Sequence, residues 1–361
     1  MTKLIEAGDV ADIATGAAIL GSGGGGDPYI GRLIAQQAIR DHGPVTLVGL
    51  DELPDDALII PVAMMGAPTV LVEKIPSASQ LADAVDAIAG YLGRPPAFVG
   101  CDEIGGVNAT IPIAAAAQLS VPLVDGDTMG RAFPELQMAL PGLIGVSASP
   151  MSIVDERGNR GIIETLDNHW TERLARQLTI EMGSSAAIST YVLTGAQARQ
   201  GYVPRTLTLA GELGAALRRA QEAHADPVTA VVSAIGGRRL ADGKLTDVER
   251  RTHTGFARGT ATVETSDGTA VISFQNENLM ARIGDEVAAT TPDLIIILER
   301  DTGEPVTTEA LRYGQRVSVI AAPADERWHS EGGIGLAGPR YFGYDIDPVR
   351  VGASGAAGGA R

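Results

Sequence analysis

The chain has a single cysteine, Cys101, in 361 residues. One thiol excludes an internal disulfide framework and any all-cysteine metal site. Positive charge is scarce as well: 28 Lys and Arg against 44 Asp and Glu leave a formal net charge of −16. Such a surface repels phosphate backbones and anionic lipid, so nucleic acid and membrane are excluded as expected partners and a small-molecule substrate is expected instead. No uninterrupted apolar run approaches the length of a membrane span, and MTKLIEAGDV lacks the basic and apolar regions of a secretory leader, so a cytoplasmic location is expected. The five histidines, His42, His169, His224, His253 and His329, show no H-E-x-x-H or H-x-H spacing. There is no recognisable zinc set, and the absence of G-x-S-x-G removes the serine-hydrolase elbow.

What is present is a long chain, 45% hydrophobic and 20% charged, able to bury a large core divided between two domains. The first half alternates helical runs (DVADIATGAAIL, PYIGRLIAQQAIR, SASQLADAVDAIAGYL, NATIPIAAAAQL) with short buried strands (VTLVGL, ALIIPVA, AFVG, VPLV, GLIGVS), the pattern of an α/β layer. SIVDERGNRGIIET predicts a hairpin closing this half. Residues 1–168 therefore form an α/β N-terminal domain. The segment 169–227, including SAAISTYVLTGAQARQ, reads as mostly helical and joins the domains. Residues 228–347, starting with TAVVSAIGGRRL, read as a β-rich, barrel-like C-terminal domain, giving a two-domain α+β protein overall. The tail 348–361 is low-complexity and is expected to be disordered.

Three features carry candidate chemistry. GSGGGGDP, from Gly21 to Pro28, matches G-x-G-x-x-G, yet a helix rather than a strand precedes it and the anionic Asp27 follows it, so no nucleotide is expected. Two readings remain: a helix corner, or a loop whose Gly23, Gly24, Gly25 and Gly26 offer backbone N–H groups to a substrate. Asp27 is placed to cap the next helix at Pro28. FVGCDEIGG and VPLVDGDTMGRAFPE set Asp102 and Glu103, then Asp125 and Asp127, directly after buried strands, at the carboxyl edge where open α/β sheets bind ligands. The two-residue spacing of Asp125 and Asp127 puts both on one strand face. Crowded carboxylates need a cation, Arg131, or a retained proton available for acid–base work. The alternative for each acid is a helix cap, with Asp127 preceding TMGRAF; for Arg131 it is an ion pair with Glu135 one helical turn on. In FQNENL, Asn276, Glu277 and Asn278 either reach across a domain cleft or serve a bulge or hairpin end. Cys101 ends a buried strand and reads as packing.

Taken in order, ILGSGGGGDPYIG, EIGGVN, PLVDGDTMGRAFPELQM, FQNENLMA and TGEPVTTEALRYGQRVSVIAAP with GPRYFGYD resemble the S-methyl thiohydantoin desulfurase family over nearly the whole chain, from about Asp9 to Asp347. The resemblance implies an α/β domain followed by a β-rich domain. It further implies a hydrolase of small five-membered nitrogen heterocycles that removes methanethiol from an S-methyl thiohydantoin to give a hydantoin. Alternatives are a ring-opening, hydantoinase-like cyclic amide hydrolase and a non-catalytic accessory subunit of a hydantoin-processing complex. For that chemistry Asp125 or Asp127 is the expected general base, Glu103 holds a ring N–H, and Gly23 to Gly26 or Asn108 steady developing charge. Arg131 grips a substrate carboxylate or neutralises the acids, and Asn276 and Glu277 complete the substrate-binding set. A divalent metal between Asp125, Asp127 and another loop is one variant of this scheme; its presence, like homo-oligomer formation, is left open by the sequence.

Overall fold

The structure, a computed structural model of the chain, describes residues 3–66, 70, 74, 77, 79–253, 256–266 and 268–352. Most of the expected disordered tail, residues 353–361, lies outside them. The chain divides into two compact units, Met1–Gly214 and Ala215–Arg361.

The first unit opens with β1 (Lys3–Ile5), α1 (Val10–Leu20), α2 (Tyr29–His42), β2 (Val45–Val48), β3 (Leu58–Gly66) and α3 (Gln80–Leu92). It continues through β4 (Phe98–Cys101), α4 (Ile111–Leu119), β5 (Leu123–Asp127), α5 (Leu140–Leu143), β6 (Met151–Val154), β7 (Arg160–Ile163) and α6 (Asn168–Glu181). The strands β8 (Ser185–Ser189), β9 (Leu193–Thr194) and β10 (Val203–Pro204) follow, with α7 (Gly195–Gly201) before β10, and α8 (Thr206–Glu222) carries the chain past the unit boundary.

One sheet organises this unit in the order β1-β2-β5-β4-β3-β8-β6-β7, with β10 added to β5 and β9 to β3. Its centre, β2-β5-β4-β3, is parallel. Both faces of such a sheet are covered, which is why LIIPVA in β3 is apolar without alternation and buried throughout. The flanks β8, β6 and β7 are antiparallel. Parallel β3, β4 and β5 bring Met64 to Gly66, Cys101 to Glu103 and Asp125 to Asp127 to one edge. The predicted hairpin is present as β6 and β7.

Three local expectations fail for identifiable reasons. SAAISTYVL, expected to be helical, forms β8 and β9: Ser185 to Ser189 are buried on both faces between β3 and β6, and tertiary burial overrides the helix preference of alanine. GLIGVS contributes to α5 and an irregular turn rather than a strand. TMGRAF is an irregular buried loop, so the helical spacing that would pair Arg131 with Glu135 does not exist there.

Glycines set how α1 packs. A Cβ at Gly16 would lie 1.8 Å from the Ala210 carbonyl oxygen, and one at Gly214 would lie 2.0 Å from that of Asp12. The backbones of α1 and α8 therefore approach directly, and this contact aims the glycine loop that ends α1.

The second unit holds α9 (Pro227–Ile235), β11 (Arg238–His253), β12 (Phe256–Thr265), β13 (Gly268–Gln275), β14 (Glu277–Ile283), β15 (Glu286–Thr290), β16 (Leu294–Glu299), β17 (Arg316–Ala322) and α10 (Glu331–Ala337). The antiparallel sheet runs β15-β14-β13-β12-β11-β17-β16. It curls around a core that includes Ile272, Phe274, Ile295 and Val319, and Asn278 Nδ2 donates 2.9 Å to the Ile295 carbonyl, tying β14 to β16. Two bulges in β11, at Arg239/Ala241 and Leu245/Asp247, supply the bend. TAVVSAI, expected as strand, is helical in α9; Asp226 accepts from Val228 N–H, Pro227 occupies the first turn and Gly236 is left-handed, a complete set of boundary signals. Among the described residues no helix is long and apolar enough to cross a membrane.

Candidate active site

The glycine loop and the β4 acidic turn form one unit through backbone contact. Ser22, Gly23, Gly25 and Gly26 have φ of +52°, +90°, +74° and +71°. A Cβ on Gly25 would lie 2.6 Å from the Gly105 carbonyl carbon, and one on Gly106 would lie 2.1 Å from the Gly25 oxygen. The Val107 N–H donates 2.9 Å to that same oxygen. Only glycine permits this approach. Consecutive left-handed residues turn their N–H groups into a shared concavity, the arrangement that receives anionic oxygen. Among the described residues, the N–H groups of Gly23, Gly25 and Gly26 have no hydrogen-bond acceptor, whereas Gly24 N–H donates to Gly21. Asp27 accepts from Tyr29 N–H at 2.9 Å and caps α2.

The acids differ sharply in what holds them. Asp127 is sealed from solvent, and its carboxylate accepts from the N–H groups of Ile104 (3.0 Å), Met129 (3.0 Å) and Gly130 (2.9 and 3.0 Å). It stitches β4 to the buried loop after β5 instead of capping a helix. Asp125 accepts from Thr208 N–H at 3.0 Å and Thr208 Oγ1 at 2.6 Å, fixing the first turn of α8. Thr208 at that turn meets Asp125, and Thr206 lies beside Asp127. Among the described residues no group of three or more His, Cys, Asp or Glu is placed to hold a metal ion.

Asp102 retains 5% exposure. Its backbone oxygen takes Thr128 N–H and, at 2.5 Å, Thr128 Oγ1, which lies 3.4 Å from the carboxylate. Burial, then repulsion from Asp127, pushes its carboxyl up to about 7; Asp127 is likewise raised by burial to about 7, against its three N–H donors and Thr206. Two interacting acids in one dry site titrate as a pair and share a proton near neutrality. The three N–H donors favour the anion on Asp127, which draws the shared proton toward Asp102. Glu103, 8% exposed, has Oε1 3.5 Å from Asn108 Nδ2. Asn108 also clamps β3, accepting from Met64 N–H at 2.8 Å and donating to Met64 O at 3.2 Å.

Tyr202 was not indicated by any sequence pattern. It is buried next to Cys101, Asp102 and Asp127, and its hydroxyl occupies the space a Cβ at Gly100 would fill. Burial and then these neighbours push its phenol well up. Burial and then Asp127, Asp102 and Glu103 likewise push the Cys101 thiol well up, and Sγ donates to the Glu103 carbonyl at 3.2 Å. The thiol is packing, not a nucleophile. A chromogenic thiol reagent should label native protein at least about a hundredfold more slowly than denatured protein; comparable rates would contradict this burial.

Arg131 is buried, donates from Nε to the Ala132 carbonyl at 3.0 Å and stacks over Phe133 at 4.6 Å. In the second unit, Asn276 sits at φ +56° between β13 and β14; its Oδ1 accepts from Ala257 N–H and its carbonyl from Thr308. Glu277, buried, pairs with Gln275 across the same turn. The structure thus gathers the glycine loop, Asp102, Glu103, Asn108, Asp127 and Tyr202 in the first unit, with Asp125 turned to α8.

A protein from Chromobacterium violaceum of known crystal structure shares this fold, with 23% identity and a TM-score of 0.81 over 97% of this chain and all of that one. A search of curated proteins finds no match. Residues 8–165 match the model for the S-Me-THD-like N-terminal domain, and residues 166–351 match that for the S-Me-THD-like C-terminal domain. With both domains matched in order, the chain belongs to the S-Me-THD-like family, the S-methyl thiohydantoin desulfurase family that its motifs resemble.

Proposed function

We propose that the protein is a hydrolase of small five-membered nitrogen rings that converts an S-methyl thiohydantoin to a hydantoin with release of methanethiol. The observation that carries this reading is the backbone contact of Gly25 with Gly105 and Gly106, which sets free N–H donors beside a turn bearing one protonated and one further acid. The reacting centre is a ring carbon bonded to sulfur and doubly bonded to nitrogen. Glu103 takes a proton from water as its oxygen bonds to that carbon, and passes it to the ring nitrogen, which has gained the electron pair. Collapse to the carbonyl breaks the carbon–sulfur bond; Asp102 supplies the proton that leaves with the thiol and takes up the one the hydroxyl releases. One water is consumed; one hydantoin and one methanethiol form.

In this scheme the glycine N–H groups hold the charge that develops on the ring or its carbonyl oxygen. Asp127 and Asp125 are positioning residues, one keeping the proton on Asp102 and one fixing α8, because their oxygens already accept protein donors. The base thereby moves from the DGD pair to the β4 turn. Asn108 orients Glu103. The test is incubation of purified protein with S-methyl thiohydantoins, reading thiol with a chromogenic reagent and products by mass. Stoichiometric thiol and hydantoin are expected. A carbamoyl acid without thiol would instead indicate ring opening, and no turnover with a co-purifying partner would indicate an accessory subunit.

A further inference from the structure

Helix α6 is built inside out. Its buried face is Thr171, Glu172, Ala175 and Thr179, while Trp170, Leu174, Leu178 and Ile180 are 44, 43, 39 and 51% exposed. The inward polar groups are satisfied: Thr171 Oγ1 donates to Asp167 O, Glu172 accepts from Leu136 N–H and Thr179 Oγ1 donates to Ala175 O. Among the described residues the apolar face has no such account. Trp170, Leu174 and Leu178 fall at i, i+4 and i+8, a continuous ridge on the solvent side. Leu166, just before the helix, extends it and is 94% exposed.

We infer that this face is the two-fold contact between two copies of the chain, packed through antiparallel α6 helices. Two observations favour a second copy. The ridge is self-complementary: about a two-fold axis near Leu174, Trp170 of one copy meets Leu178 of the other and Leu174 meets its mate, as an isologous contact requires. Arg173 lies over the Trp170 ring at 4.6 Å, at the rim of the ridge. Finally, the five large side chains expose roughly 500 Å² of apolar surface, the scale that marks an interaction site, and two such faces reach the roughly 1,000 Å² that a specific interface needs.

Sedimentation of the full chain over a concentration series tests this. Wild type is expected at twice the chain mass of 37.3 kDa, and Leu174→Lys is expected to weaken association by at least about a hundredfold while circular dichroism stays unchanged. Because the single native cysteine is buried, Leu174→Cys provides a second readout: mild oxidation should cross-link two chains through this position. Wild type that stays monomeric up to about 100 μM, above the typical range of specific interfaces, would overturn the inference. So would a dimer indifferent to Leu174→Lys, or a Leu174→Cys chain that does not cross-link.

Discussion

Asp102→Asn lowers the rate of thiol release by about 10²–10⁴-fold, the usual contribution of a positioned acid, and it does so without unfolding the protein. Asparagine keeps the shape of the side chain and leaves the main-chain oxygen that binds Thr128 untouched. What it removes is the proton that burial and Asp127 keep on Asp102. The wild-type rate should fall as pH rises through about 7, where the pair surrenders that proton, and this limb should vanish from the residual rate of the variant. Unchanged turnover in Asp102→Asn would remove the acid from the scheme. Glu103→Gln retaining full activity would do the same for the base.

The same substitution has a stability signature of opposite sign. The folded-state pKa of Asp102 is raised above its unfolded value, so the folded chain binds more protons between about 4 and 7. Its contribution to stability is fully present below the unfolded pKa and is lost as pH rises through the folded one. Asp102→Asn abolishes that loss, so the variant should be the more stable protein at pH 8, by an amount of order a few kcal/mol, with the advantage shrinking toward pH 4. Denaturant midpoints at the two pH values measure it. An Asp102→Asn chain less stable than wild type at pH 8 would mean that the carboxylate is ionised and paired. A gain in stability with a loss of activity is the trade expected of a strained functional group.

Gly106→Ala should be among the most damaging single methyls in the first unit. Its Cβ would fall 2.1 Å from the Gly25 oxygen, and the residue holds φ +53°, so neither space nor backbone accepts alanine. The cost is about 3 kcal/mol or more, with a melting temperature lowered by roughly 5–10 °C. Gly25→Ala, aimed at the Gly105 carbonyl carbon, should resemble it. Gly8→Ala, whose Cβ meets nothing within 4 Å, is the control and should stay within about 0.5 kcal/mol of wild type. Activity should fall in both loop variants even where they remain folded, because the N–H donors are displaced from the acidic turn. Comparable melting curves for Gly8→Ala and Gly106→Ala would mean that the two loops do not interlock.

The sequence by itself determined the layer architecture and the edge on which chemistry is expected. Apolar runs such as LIIPVA can only be central strands, and the acids after AFVG and VPLV must then emerge together, because parallel strands end on one side. Capping residues were legible too, at Asp27 and, in retrospect, at Asp226 with Pro227 and Gly236. Local signals fail where burial decides: Ser185 to Ser189 form a strand because β3 and β6 enclose them, and TMGRAF stays irregular because Asp127 pulls its N–H groups inward. Only the tertiary structure divided the acids into roles. Asp102, Asp125 and Asp127 are equivalent as letters, and what separates them is the neighbours that folding delivers: backbone amides to one, Thr208 to another, and to Asp102 the repulsion of another carboxylate. Those partners lie as far as 83 residues away along the chain, beyond the reach of any spacing rule, and the proton that marks Asp102 exists only once burial has removed the water that would let both acids ionise.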